Sequence, residues 1–303
     1  MTLAAALERP PFEAKAIVRD PVHAAREISA NQLAPLVHKI DQDGFYPKDV
    51  MKALGKADVF STHLTGAQDG SADLTTSIKA MSVVGEHCLS TSFCVWCQDA
   101  LGWYIATSPN KAVRETLLKA VASGAQLGGT GLSNPMKAFF GIEKLRLKAK
   151  RTEGGYVVKG RLPWVSNLGP NHYFGAIFEM EDNPKHRVMA AVSCKGPGIE
   201  IGQYDHFIAL EGTGTESVKF AQAFISDDMV IADPIDSYIP KIRSGFILLQ
   251  SGMAFGLIRN CIDLMKQMQS SHGHVNKYLD KQPEDFEDML RRLEDEVFDL
   301  ART

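Results

Sequence analysis

A disulfide framework, a dense basic stripe and a membrane-length apolar run are all missing from this chain. Its five cysteines, Cys88, Cys94, Cys97, Cys194 and Cys261, are odd in number and mostly scattered over 303 residues, which excludes a disulfide-built scaffold. Net charge is only −3, and lysines and arginines form no cluster, so neither nucleic acid nor an anionic membrane is an indicated partner. No apolar run reads as long enough to span a bilayer. Met1 to Arg19 mixes Glu8, Arg9, Pro10, Pro11 and Glu13 and lacks the unbroken apolar core of a secretory signal. The expectation is a soluble cytoplasmic protein with no internal repeat.

What is present falls into three textures. The first third is helical. Asp20-Pro21 is a start signal, and Val22, Ala25, Ile28, Gln32, Leu36 and Ile40 follow at near-helical spacing. Pro35 should kink or split this helix. Phe45-Tyr46-Pro47 opens another, and two runs, about Ala72–Glu86 and Thr91–Thr107, are apolar over much of their circumference. Ser108-Pro109 should cap a further helix that Gly124 ends. Within the second apolar run, Cys94-Val-Trp-Cys97 matches a CxxC pattern. It reads either as two buried small residues on one helix face or as a redox pair or half a zinc site.

After Gly124 the texture changes. Leu127 to Pro135 is too glycine-rich for a helix interior. Short strand-like runs follow at Leu145–Lys150, Tyr156–Lys159, His172–Glu179, Arg187–Ser193, Ile199–Gln203, Ser217–Phe220 and Ala223–Ile225. Their regular spacing predicts a compact antiparallel barrel or sandwich. Within it, Gly160 and Pro163 should bend the chain just before Trp164, Ser166 and Asn167. In an extended segment Trp164 and Ser166 share one face and Val165 points the other way. An indole beside a hydroxyl suits a planar ligand with polar edges; the alternative is a tryptophan filling the β core. Helix returns near Pro240. Phe246–Met265 is apolar on nearly every face, a polar loop is expected over Ser270–Gln282, and Pro283 opens a last helix striped by Phe286, Met289, Leu290, Leu293, Val297 and Leu300.

The predicted fold class is therefore α+β multidomain. An N-terminal α-helical bundle (1–124) precedes a small antiparallel β-barrel or sandwich (125–234) and an incomplete C-terminal α-helical bundle (235–303). This order resembles the acyl-CoA dehydrogenase family. The resemblance is carried by Gly44-Phe-Tyr-Pro47 with Val50–Leu54, by Gly131-Leu-Ser-Asn-Pro135 with Leu145–Ala149, by Gly155–Gly160 through Trp164-Val-Ser-Asn167, and by Leu210–Thr215 with Val218-Lys-Phe220 and Phe224-Ile225.

The resemblance implies FAD held between the β domain and the C-terminal bundle, with Thr130, Leu132, Ser133, Trp164 and Ser166 lining the flavin. It implies a small-molecule substrate, an acyl-CoA or similar, and a homodimer or homotetramer. Two departures leave the activity open. Met136-Lys-Ala-Phe-Phe-Gly141 stands where the family has a small polar turn beside the thioester arm. No catalytic residue is assigned, because the family's usual glutamate lies beyond the last residue here and the alternative position falls on Phe246-Ile247. Acyl-CoA dehydrogenation is the expected activity. A flavin-dependent monooxygenase on the same fold, or a non-catalytic member acting through protein contacts, is the alternative. His206 reads as a solvated loop histidine, and Trp96 and Trp103 as helix core.

Overall fold

The structure, a computed structural model, describes residues 20–202 and 206–302. The reading of Met1–Arg19 and the expected strand end at Gln203 lie outside the described residues. Six α-helices come first: α1 (Pro21–Ile28), α2 (Val37–Asp43), α3 (Lys48–Lys56), α4 (Thr75–Gly85), α5 (Leu89–Thr107) and α6 (Lys111–Ala122). Asp20 caps α1 by accepting the Val22 N–H at 3.0 Å. The break expected at Pro35 is a π turn over Ser29–Leu33 and a 3-10 turn over Ala34–Leu36, because proline supplies no N–H to continue the ladder. Helix α6 starts later than Ser108-Pro109 predicted. Asn110 caps it, while the Ser108 hydroxyl is drawn away to the Ile231 carbonyl at 2.5 Å.

The middle of the chain is one eight-stranded sheet. Its strands are β1 (Gly128–Thr130), β2 (Lys148–Thr152), β3 (Gly155–Val165), β4 (Tyr173–Met180), β5 (Arg187–Ser193), β6 (Ile199–Gly202), β7 (Glu216–Ser226) and β8 (Val230–Ala232). The order is β6-β7-β3-β2-β4-β5-β8, and β1 joins β4. Most pairings are antiparallel as expected. However, β1 and β2 both run parallel to β4, β1 along its start and β2 along its end, so the sheet is mixed. Two runs read as separate strands are the single strand β7, broken in pattern by Gln222 at φ 57°. The glycine-rich stretch holds an unexpected short helix, α7 (Ser133–Phe139).

Two long helices complete the chain, α8 (Ile239–Asn276) and α9 (Pro283–Ala301). Helix α8 continues well into the predicted polar loop. By length and composition it is apolar enough to cross a membrane, which corrects the sequence reading. Here its inner side lies on α4: a Cβ on Gly256 would meet the Ser82 carbonyl oxygen at 2.3 Å, so only glycine permits that approach. At the start of α9, Asp285 accepts the Gln282 N–H at 2.8 Å in a capping box.

Helix α5 is buried on almost every side, and Cys94 and Cys97 are sealed within it at 0 % exposure. Burial raises both thiol pKa values, which leaves them as protonated packing groups. The same helix buries Asp99, whose two carboxylate oxygens have no hydrogen-bond partner. His63, equally buried, bonds Ser77 Oγ at 3.1 Å and the Asp99 carbonyl at 3.0 Å, and stands 3.9 Å from the Asp99 carboxylate. Desolvation lowers His63 to about 4 and raises Asp99 well above the carboxylate range.

These two shifts act oppositely on stability. For His63 the unfolded chain binds the proton first, so stability falls as pH drops from 6.5 towards about 4. For Asp99 the folded chain keeps the proton longer, so stability falls as pH rises above 3.8. Asp99→Asn removes only the second effect. Urea unfolding of parent and variant should show the variant gaining relative stability steadily from acid to alkaline pH, by more than about 1 kcal/mol at the alkaline end. A pH-independent difference would refute this account.

Candidate functional site

The site begins where β1 is wedged into the sheet. A Cβ on Gly128 would lie 2.1 Å from the Tyr173 carbonyl oxygen, and one on Gly129 would lie 1.9 Å from that of Ser166. Only two consecutive glycines let the backbone pass there. The wedge sets Thr130 in a bridge with Ser166, so the end of β3 is fixed against β1. Register shifts between Val158 and Gly160 and between Leu162 and Val165 supply the expected bend. Beyond it the side chains alternate as predicted: Val165 is fully buried, Ser166 is half-buried, and Trp164 is 43 % exposed.

Trp164 therefore lies on the surface rather than in the β core. It lines a narrow cleft with Ser133, Asn134, Leu162 and Pro163. Its ring meets Phe207 at 5.9 Å, and Phe207 in turn borders a cavity of about 270 Å³ walled by Gly44, Glu211, Thr213 and Thr215. Thr215 donates to Ser166 Oγ at 2.8 Å. Thr213, 2.8 Å from Thr215 and 3.0 Å from the Leu210 carbonyl, supports that hydroxyl from behind. Because Ser166 accepts this bond, its own O–H remains to donate outward.

The other predicted residues contribute differently. Ser133 is exposed at the first turn of α7. Leu132 is 1 % exposed, so its side chain is packed into the core and does not line the cleft. Thr130 is 8 % exposed and its hydroxyl is 3.1 Å from Tyr104 Oη, which turns it towards α5. Tyr104 itself stacks on Phe246 of α8 at 6.2 Å, and Phe246 meets Trp96 edge-on at 5.2 Å. Trp96 and Trp103 are core, as expected, and each also donates its indole N–H to an α8 carbonyl.

Charge at the cleft comes from Glu143, which takes bonds from Asn134 at 3.0 Å and Lys137 at 3.2 Å, with Arg146 at 3.5 Å. Those donors hold its pKa below the usual carboxylate range. Of the two phenylalanines in the Met136–Gly141 stretch, Phe139 packs against the Arg187 guanidinium at 5.0 Å and Phe140 is 71 % exposed. His206 pairs with Glu211 at 2.7 Å and is otherwise in solvent. Among the described residues no three His, Cys, Asp or Glu side chains converge as a metal site.

Asn167 has a role that its sequence position did not reveal. It is fully buried with φ 62°, a conformation that asparagine tolerates better than most residues. Its Oδ1 accepts from Tyr46 Oη at 2.6 Å, and its Nδ2 donates to the Gly128 carbonyl at 2.6 Å and the Cys94 carbonyl at 3.3 Å. One side chain thus ties the α3 entry loop, α5 and β1 to the end of β3. The available signal was a polar residue directly after an apolar-polar alternation.

Residues 19–125 match the family described as acyl-CoA dehydrogenase, N-terminal domain. Benzylmalonyl-CoA dehydrogenase of Aromatoleum aromaticum is 23 % identical over 236 residues, covering 76 % of this chain and 62 % of its own length. The chain thus spans less than two thirds of that relative. Among solved structures, butyryl-CoA dehydrogenase from Megasphaera elsdenii superposes with a TM-score of 0.72 at 16 % identity, over 94 % of this chain and 77 % of that one. PigA with FAD and proline superposes with a TM-score of 0.75 at 13 % identity, over 93 % and 77 %. At these identities the superpositions establish a shared fold.

Replacing Asn167 by aspartate keeps its shape but turns an oxygen towards two carbonyl oxygens. Chemical denaturation should show a loss of at least about 3 kcal/mol, because two donors vanish and a buried charge appears. A loss below about 1 kcal/mol would remove Asn167 as the tie between these elements.

Proposed function

We propose that this chain, which belongs to the acyl-CoA dehydrogenase superfamily, is a flavin-dependent oxidoreductase that binds FAD and removes hydrogen from the α and β carbons of an acyl-CoA thioester or a related substrate. The observation that carries the proposal is the exposed Trp164 indole sharing a cleft with Ser133, with Ser166 beside it as an outward hydroxyl donor. These groups fit a flavin: a flat apolar face next to hydrogen-bond donors is what a fused ring with carbonyl edges requires. FAD, when bound, supplies the hydride acceptor.

The chain's own residues have three tasks in this reading. Trp164 packs against the ring system and keeps water from one side. Ser166 donates to a ring oxygen or nitrogen and stabilises negative charge there, with Thr215 orienting its hydroxyl. Ser133 and the Leu132 backbone hold the ring edge from α7. A proton acceptor is not among them. Glu143, the carboxylate in the cleft, is bound by an amide and two cations, which makes it a weak base. That feature favours a second reading, a flavin-dependent monooxygenase or a non-catalytic member on the same fold. The free thiols agree with a cytoplasmic location, which belongs to the proposal as well.

The test has two arms. Purified protein mixed with FAD should retain it and show a flavin absorption band, and Trp164→Ala should weaken binding about tenfold or more, equivalent to about 1.4 kcal/mol. Titrating the loaded protein anaerobically with acyl-CoAs of graded length should bleach the band for at least one. Bound flavin that none of them bleaches removes dehydrogenation and leaves the second reading. Failure to retain FAD removes every flavin reading.

A further inference from the structure

Asn167 has one more partner. Its carbonyl oxygen accepts the His172 Nδ1–H at 2.9 Å, and His172 forms part of the wall of a cavity of about 160 Å³ at the start of α3. This cavity shares no residue with the Trp164 cleft. Lys48 and Lys52 stand in its wall one helical turn apart, on one face of α3. Among the described residues neither ammonium is paired with a carboxylate, and no aspartate or glutamate lines the cavity. Asp49, in the same turn, lies outside the wall. Gln126 ties two sides of it together by donating to the Leu127 carbonyl at 2.9 Å and to the Asn171 carbonyl.

The imidazole is the selective element. A carbonyl oxygen carries no hydrogen, so the bond to Asn167 places the ring proton on Nδ1. His172 is 5 % exposed, and its Nε2 has no hydrogen-bond partner among the described residues. A Cβ on Gly169 would lie 2.8 Å from Nε2, so glycine leaves that nitrogen open to the cavity. Burial above all lowers the His172 pKa, and the charges of Lys48 and Lys52 act in the same direction, outweighing the Asn167 carbonyl. A neutral ring with its proton on Nδ1 can only accept at Nε2. The cavity therefore offers two cations for negative charge and one acceptor for a hydrogen.

We propose that this cavity binds a phosphate group that retains a proton, as inorganic phosphate or as a phosphomonoester. Its charged oxygens face Lys48 and Lys52, and its P–O–H donates to His172 Nε2. With a second pKa of about 6, a phosphomonoester keeps that hydrogen near neutral pH once a buried acceptor stabilises it. Sulfate and carboxylates are fully ionised there and carry no such hydrogen, so their oxygens would meet the Nε2 lone pair. The cavity, about 160 Å³, is smaller than the ~300–1,000 Å³ of pockets that enclose drug-sized molecules, so it holds the phosphate group and leaves the organic part of an ester outside. None of these residues takes part in the flavin reading, so the site stands or falls apart from it.

The full chain can be titrated calorimetrically with inorganic phosphate, glycerol 3-phosphate and sulfate at neutral pH and low salt. At least one of the two phosphates should bind saturably, and about tenfold or more tighter than sulfate. Tighter binding of glycerol 3-phosphate assigns the site to an ester, and tighter binding of inorganic phosphate assigns it to the free ion. Lys52→Met and, separately, Lys48→Met should each weaken that binding about tenfold. Lys185→Met, exposed in the turn at the far end of β4, should leave it unchanged. Lys48 is exposed, so its variant decides the matter even where Lys52→Met fails to fold. Nitrogen NMR of the imidazole should show His172 neutral with its proton on Nδ1, and added phosphate should move the Nε2 signal. Failure of both phosphates to bind overturns the inference. So does sulfate binding as tightly as phosphate, which reports two cations without a hydrogen acceptor, and so does binding that neither lysine variant weakens.

Discussion

The site depends on a steric constraint, the passage of β1 between β4 and the end of β3. Two glycines in succession let three backbones approach where a single methyl group would collide with a carbonyl oxygen. Everything placed near the cleft follows from that passage. Thr130 is bridged to Ser166, Ser133 follows three residues later on α7, and Trp164 precedes Ser166 by two. Asn167 then locks the arrangement from the buried side by donating to Gly128, the first residue of the wedge. A hydrogen bond of this kind, sealed from water, is worth more to position than to net stability, since leaving its acceptor unpaired would cost the full desolvation of a carbonyl.

Much of this was legible in the residues. The bend at Gly160 and Pro163 and the outward pair Trp164 and Ser166 follow from strand periodicity and two backbone-breaking residues, both local properties. The kink at Pro35 and the cap at Asp20 are local too. What the sequence did not disclose depends on distant partners. Ser108 fails as a cap because Ile231, on another strand, takes its hydroxyl. The parallel pairing of β1 and β2 with β4 is a topological fact that alternation cannot encode. The extent of α8 beyond Ser270 overrode a polar composition that reads locally as loop. The resemblance alone suggested Thr130 as a flavin-lining residue, and its hydroxyl instead meets Tyr104, 26 residues earlier on α5.

Helix α5 shows how polar groups are distributed when a helix is buried all round. Gln98 is satisfied by three backbone partners: its amide donates to the Val121 carbonyl at 2.9 Å and the Gln126 carbonyl at 3.0 Å, and its oxygen accepts the Gly128 N–H at 2.9 Å. It therefore anchors β1 to the helical layer and belongs to the same framework as Asn167. The next residue, Asp99, has no such partners on its carboxylate and relies on protonation to remain buried. Adjacent positions on one helix thus hold opposite solutions to the same desolvation problem, one by complete hydrogen bonding and one by neutralisation.

Helix α8 links the cleft to the outer surface through two neighbouring residues. Phe246 turns inward, between Trp96 and Tyr104, and Ile247 turns outward at 53 % exposure. A carboxylate in place of Phe246 would lie between two aromatic rings, Trp96 and Tyr104, and holding an unpaired charge there would cost more than the aromatic contacts it displaced. The apolar packing of Phe246 and proton abstraction from that position are therefore mutually exclusive. Tyr104 carries the consequence to the site, because the ring that stacks on Phe246 is the one whose hydroxyl fixes Thr130. Glu143 is the carboxylate already at the cleft, and releasing it requires breaking its contacts with Asn134, Lys137 and Arg146 together.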